Sequence, residues 1–592
     1  MRTCLATILA VSVCAPSTFA ADTPGPVVGR KIDDFELRDD RGSTHQLSDF
    51  ARSKLVVVAF LGCECPLAKL YGARLGKLAA EFEPRGVAFV GINSNRQDSL
   101  TEMAAYARLQ EIAFPLLKDP GNAIADRFGA ARTPQVFVLD HDRAIRYSGR
   151  IDDQYLVGVR RPQPTRRDLA LALEELLAGQ PVTVAETPVA GCQIGRIARG
   201  TPHGEVTYSN QIARLFQRRC VECHREGEVA PFPMTNYEEI VGWGEAIREV
   251  VDEGRMPPWF ANPEHGRFAN DARLSDDEKQ WIRAWVGAGC PEGDPAQLPE
   301  PRQFTLGWQI PEPDQVIHIQ PEPVTVQADG VVKYQYFEVD PGFTEDKWIA
   351  AAEARPDNRS VVHHIVAFFV PPGEKARGGR GAMIGYAPGM PPNRFPEGAA
   401  LFVPAGSKVV FQMHYTPNGK EQRDRSYVGL KFADPAQVKY RMSGGMAPNN
   451  SFEIPPGADN HEVRSTHHLT KDARLLTLTP HMHLRGKSFR YEAEYPDGTR
   501  EILLDIPRYD FNWQLRYTLA EPKRLPKGTK LICTAHFDNS EKNLSNPDPT
   551  QSVRWGDQTW EEMMIGYFST LPMETVDASP TNTEESTAGE GG

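Results

Sequence analysis

The order of apolar and polar positions changes character twice along the 592-residue chain. Between about residues 25 and 180, apolar runs such as "KLVVVAFLG", "GVAFVGINS" and "PQVFVLD" alternate with segments of helical period, from Pro66 to Phe82, around Leu100 to Leu109 and in "RRDLALALEELLAG". Strands alternating with helices predict an α/β layer fold. Residues 181–200 carry two prolines and Cys192 and read as a connector. From 201 to 295 the period is helical, and "SDDEKQWIRAWVGAG" opens on the N-cap pair Ser275 and Glu278, which predicts an all-α domain. A proline-rich linker follows at 296–315. The pattern then becomes one of short β-type runs broken by Pro, Gly, Asn and Asp, as in "KVVFQMHYTPNGK", which predicts two all-β sandwich domains of jelly-roll type at 316–440 and 441–570. The acidic stretch 571–592 has nothing to build a core from and is expected to be disordered.

Charge and cysteine content narrow the classes. The 66 basic and 78 acidic residues are interspersed, giving a net charge of -12, which excludes a nucleic-acid groove. Arg2, an apolar run and Ala20 predict a signal peptide at 1–20, hence a periplasmic or otherwise exported protein. No later run approaches the roughly 20 apolar residues of a membrane span. Of the nine cysteines, Cys4 and Cys14 fall in that leader. The remaining seven are too few for a disulfide scaffold, so their positions carry the interest.

"FLGCECPLAKLY" places Cys65 at a helix N-terminus, where free N–H groups and the helix dipole favour thiolate. With Thr133-Pro134 in "TPQVFVLD", the arrangement resembles the thioredoxin-like redoxin family, with Cys65 as the reactive thiol and Cys63 a departure from the usual CxxC. Cys192 either resolves a Cys65 intermediate or is structural, and a Cu(I) site on Cys63 and Cys65 is a third option. "CVECH" has the spacing for covalent haem attachment through Cys220 and Cys223, with His224 as axial ligand. The segment resembles class I cytochromes c. By that likeness Met256 in "GRMPPW" is the second axial ligand, with Met234 the competitor.

Ten of the fifteen histidines fall after residue 316, an enrichment that asks for a metal. His481 and His483 in "LTLTPHMHLRGKSF" share one face of a strand, and Met482 takes the other. Adjacent His363 and His364 lie in the apolar run "VVHHIVAFFV", where uncoordinated imidazoles are costly to bury. His414 in "QMHY" and Met563 in "EEMMIGYF" complete a donor set suited to copper.

In this order the motifs resemble the copper type II, ascorbate-dependent monooxygenases. The resemblance implies an electron-transferring copper on His363, His364 and His414, and an oxygen-binding copper on His481, His483 and Met563. It also implies a substrate-contacting role for Tyr567. Two copper ions and one haem c are therefore the expected cofactors, with ascorbate or the haem as reductant. A small-molecule or peptide substrate, O2 and a redox partner complete the expectation. Thr479 stands where the amidating members carry an arginine, which argues against peptide amidation. The reading is an exported multidomain C–H-hydroxylating oxidoreductase. The alternative is a thiol-disulfide and electron-transfer relay whose β domains bind copper without catalysis.

Overall fold

The computed structural model describes residues 27–197, 201–304, 307–374 and 384–575. The leader at 1–20 and most of the acidic tail, from residue 576, lie outside the described residues, and so do the expectations placed on them.

The N-terminal unit is a seven-stranded mixed sheet. Leu55–Phe60 sits near its centre, parallel to Val87–Asn93 and antiparallel to Gln135–Leu139. Every residue of that strand is buried because both faces are covered. Val57 and Ala59 pack with Leu75 and Phe82 of the helix Pro66–Phe82, whereas Val56, Val58 and Phe60 pack with Phe128 and Phe137 on the other face. The 181–200 segment is more than a connector. Cys192–Gln193 pairs antiparallel with Arg132–Thr133, and Gly195 exchanges hydrogen bonds with Arg96 and Asn95.

The helical unit packs Ala213–Arg219, Gly244–Asp252 and Asp276–Gly287 around Trp285. The last of these helices carries the reciprocal Ser275–Glu278 cap. The first stops at Arg219, so Cys220–His224 forms a hydrogen-bonded turn instead of continuing the helix, with Cys223 and His224 N–H groups donating to the Cys220 carbonyl. The segment around Trp259–Asn270 leaves this unit altogether. Ala261 and Phe268 enter the core of the last β unit, and Trp259 meets Tyr517 edge-on at 4.9 Å.

The β region divides into two units, each of two main sheets closed on one core. In the first, the sheet containing Gln335–Val339, Lys408–Tyr415, Val362–Val370 and Ile384–Tyr386 carries the first three histidines. In the second, Ala473–His481 lies between Ile565–Pro572 and Tyr517–Leu525. Cys533 is fully buried in that core, where its Sγ would lie 2.4 Å from any Cβ at Gly566. No helix among the described residues is long and apolar enough to cross a membrane.

Candidate redox centres

Successive strand residues point to opposite faces, so His363 and His364 converge only because the backbone is irregular there. The register of Val362–Val370 against Lys408–Tyr415 shifts between Val362 and His364, placing His364 directly opposite His414. A bulge at that point turns His363 to the same side. One ring nitrogen from each of His363, His364 and His414 then lies within 4.8 Å of the others. The strand ends at His481, and His483 lies just beyond it with its ring centroid 5.3 Å from that of His481, while Met482 is buried in the core. His481 pairs with Ile565. Met563, at the rim of the second β core, precedes the strand Ile565–Pro572 by two residues and follows Glu561 and Glu562, which contact His483. The preceding glutamates brace the histidine: the Glu561 carbonyl lies 3.3 Å from His483 Nδ1, and the buried Glu562 carboxylate accepts from the His483 and Arg485 N–H groups. Burial raises the Glu562 pKa to about 8.

Burial also lowers the pKa of His363 and His481 to about 4 and of His483 to about 3, so these rings are neutral at pH 7 with lone pairs available. Gln514 Oε1 accepts from His481 Nδ1 at 2.8 Å, which leaves Nε2 as the free donor atom. His414 Nδ1 and His483 Nε2 are buried without a hydrogen-bond partner among the described residues. Three residues missing from the sequence-based set complete the site. Phe511 stacks on His363 at 4.9 Å and approaches His483 to 5.9 Å. Tyr334 contacts His364, His414 and His483 at 5.2, 4.8 and 6.4 Å. The space between the two histidine groups therefore holds two aromatic rings. Tyr567 lies 6.3 Å from His481, opposite Thr479.

The thiol centre is built at the N-terminus of the helix Pro66–Phe82, whose N-cap is Cys65. Cys65 is fully buried, and its Sγ donates to the Thr133 carbonyl at 2.9 Å, beside the cis Thr133-Pro134 bond. Burial opposes ionisation, but hydrogen bonds from the Cys192 thiol and from the Ala68 and Cys192 backbone N–H groups outweigh it and bring the pKa down to about 6. Cys192, hydrogen-bonded to the same sulfur, is held well above the ordinary thiol value. Cys63 faces elsewhere: its N–H donates to Asp98 and its sulfur accepts from Asn93, and burial with the Asp98 charge pushes its pKa up.

Residues 28–148 match the AhpC/TSA family. This stretch is a redoxin domain. The chain is 24% identical over 148 residues to the thiol-disulfide oxidoreductase ResA of Geobacillus kaustophilus strain HTA426, an alignment covering 25% of this chain and 83% of that protein. Among solved structures, the hypothetical protein SMc02350 of Sinorhizobium meliloti 1021 is 31% identical, over 29% of this chain and 96% of its own, with a TM-score of 0.27. The peroxidoxin BcpB of Mycobacterium tuberculosis is 24% identical, over 26% and 94%, with a TM-score of 0.20.

The segment that follows the matched redoxin stretch reaches the neighbourhood of the histidines. Arg160, on its Tyr155–Arg160 hairpin, donates to the Pro417 carbonyl three residues past His414, and Asn512 next to Phe511 donates to the Gly158 carbonyl at 3.0 Å. After burial itself, the Arg160 charge helps keep His363 neutral. In the helical unit, His224 Nδ1 lies 3.0 Å from the Phe232 carbonyl, a hydrogen bond that sets the tautomer with Nε2 as the ring's lone-pair atom. Cys220 and Cys223 precede it in the same turn. Met234 is buried in the helical core, while Met256 is half-buried at the cis Met256-Pro257 bond. Glu228, four residues beyond His224, is buried between Arg225, Arg355 and Arg359, the last two belonging to the first β unit just ahead of His363.

Proposed function

We propose that the chain is an exported oxidoreductase whose β units use copper to hydroxylate a C–H bond with O2, served by a haem c unit and the redoxin domain. The observation that carries this reading is the bulged strand that gathers His363, His364 and His414 within 4.8 Å, together with buried ring nitrogens on His414 and His483 that lack partners among the described residues. Neutral imidazoles and a thioether are donors for copper, and buried orphan nitrogens fit a site meant to hold a cation. Copper on His363, His364 and His414, and on His481, His483 and Met563, would supply one-electron exchange and O2 reactivity. Gln514 fixes the tautomer of His481, Glu561 does the same for His483, and Phe511 and Tyr334 keep water from the space between the two groups. Tyr567 is the substrate-facing residue. Cys220, Cys223, His224 and Met256 would hold a haem, which would supply a one-electron carrier. Its loop meets the first β unit through the Glu228–Arg355–Arg359 contacts, which favours the haem over ascorbate as reductant.

The test is metal analysis with EPR and visible spectra of the purified chain. Two coppers and one low-spin haem are expected, and a deficit of one copper overturns the monooxygenase reading. Dithionite-reduced haem should be reoxidised by the copper-loaded chain under O2. A second reading, a thiol and electron-transfer relay with non-catalytic copper, draws support from the two rings that fill the space where a substrate would sit. In that case O2 uptake stays uncoupled from any hydroxylated product.

A further inference from the structure

We propose that Cys65 and Cys192 are the redox pair of the redoxin domain, cycling between dithiol and disulfide, with Cys63 outside the reaction. This rests on the thiol-redox reading of residues 28–148 and adds to it a residue beyond the matched segment.

The geometry comes from both chain segments meeting at one residue. Cys192 stands in register with Thr133, and the Cys65 sulfur donates to the carbonyl of that same Thr133. The approach depends on Gly191, which adopts φ +139°, and a Cβ there would lie 2.1 Å from the Thr133 carbonyl oxygen. Only glycine lets the segment lie this close, and the closeness delivers the next residue's thiol to Cys65. Cys63 has other partners in Asp98 and Asn93 and lies away from this junction. The outer wall of the pair is the helical unit. Cys192 packs against its core, while Arg132 and Gln193 both bond to Glu249 on the helix Gly244–Asp252.

The reaction balances as thiol–disulfide exchange with an external disulfide. The Cys65 thiolate attacks one sulfur of R–S–S–R′, and the expelled R′S⁻ takes up a proton, leaving Cys65 bonded to RS. Cys192 then loses its proton and attacks Cys65 Sγ. The RS group departs with the electron pair and accepts that proton. Two protein thiols become one disulfide, and one external disulfide becomes two thiols. Because Cys65 is buried behind the helical unit, a small disulfide is the appropriate probe.

The full-length chain, equilibrated in glutathione redox buffers, quenched by alkylation and digested without reduction, should yield a Cys65–Cys192 linked peptide. Its fraction should follow the buffer as a two-electron couple and be unchanged in Cys63→Ser. In Cys192→Ser the linked peptide is lost and Cys65 stops as its glutathione mixed disulfide. A Cys63–Cys65 link in the native sequence, or an equally complete cycle in Cys192→Ser, overturns the pair while leaving the thiol-redox reading in place. If Cys65 never exchanges in the native chain yet reacts once the chain is denatured, the thiol-redox reading itself fails and the pair falls with it.

Discussion

Cys65 and His483 are both fully buried just past the end of a strand, and burial pushes both toward their neutral forms. They differ in what the surrounding chain does about it. Around Cys65 the protein provides hydrogen bonds to the anion, from Cys192 and two backbone N–H groups, and the thiolate is favoured in spite of desolvation. Around His483 the protein provides bonds only to the ring's Nδ1 side and leaves Nε2 without a partner among the described residues. The thiol centre is thus complete within the chain. The histidine centre leaves buried ring nitrogens unpaired among the described residues, and on the proposed reading a copper ion would supply the partner.

The contrast breaks most completely at His414. Replacing it with alanine removes one of three convergent rings, so copper content should fall by about one equivalent per chain and hydroxylation should be lost, with thiol exchange at Cys65 unaffected. Metal analysis and glutathione exchange on the same sample check both halves. If copper stoichiometry survives His414→Ala, the histidine centre is not built as argued. Gln514→Leu is milder: His481 keeps its place but loses the acceptor that fixes its tautomer. Copper affinity of the second site should weaken about 10- to 100-fold, measured by competition with a chelator of known affinity.

Much of the thiol centre was legible because its signals are local. A buried strand, "CECP" and a helical period put Cys65 at the helix start, and the structure has that helix at Pro66–Phe82 as the sequence predicts. The nearness of His481 and His483 was legible from their spacing, although the strand stops at His481 and alternation does not extend to His483. The convergence of His363 with His364 was not, because strict alternation separates them, and the bulge is fixed only by pairing with a strand some fifty residues on. Tyr334 comes from a segment far from any of the histidine motifs and carries no motif of its own. Phe511 and Gln514 do fall within the stretch "YDFNWQ" that resembles the family, which was the available signal. The excursion of Trp259–Asn270 into the last β unit was hidden for a similar reason. The aromatic run "MPPWF" lacks helical period, and that lack marked a segment whose partner lies elsewhere. Gly191 before Cys192 was the visible trace of the thiol junction, but a glycine does not say which carbonyl it must approach.

Gly191→Ala sharpens the thiol side. The added Cβ meets the Thr133 carbonyl oxygen in a backbone conformation that disfavours side chains, so a loss of about 1–3 kcal/mol is expected, read as a lower denaturant midpoint of the redoxin transition. The same variant should form less Cys65–Cys192 disulfide at a given glutathione potential, whereas copper content should not change. A destabilised chain with an undiminished disulfide would mean that the glycine serves packing alone.

The smallest expected effect is a titration, and it asks whether the thiol centre supplies its own compensation. In the reduced chain, Cys65 should ionise near pH 6 rather than at the ordinary thiol value of 9, followed by the ultraviolet absorbance of the thiolate as a difference from Cys65→Ser. Because the folded pKa lies below the unfolded one, the stability this group contributes is fully present above about pH 9 and is lost as pH falls through about 6. Cys192→Ala deletes the strongest hydrogen bond to the thiolate while burial still opposes the charge. The midpoint should therefore move up, toward the unfolded value, and the pH range over which Cys65 adds stability should shrink. A midpoint that stays near 6 without the Cys192 thiol would assign the compensation to the helix N-terminus and the backbone N–H groups of residues 68 and 192, and the two centres would then differ in their backbone rather than in a paired thiol.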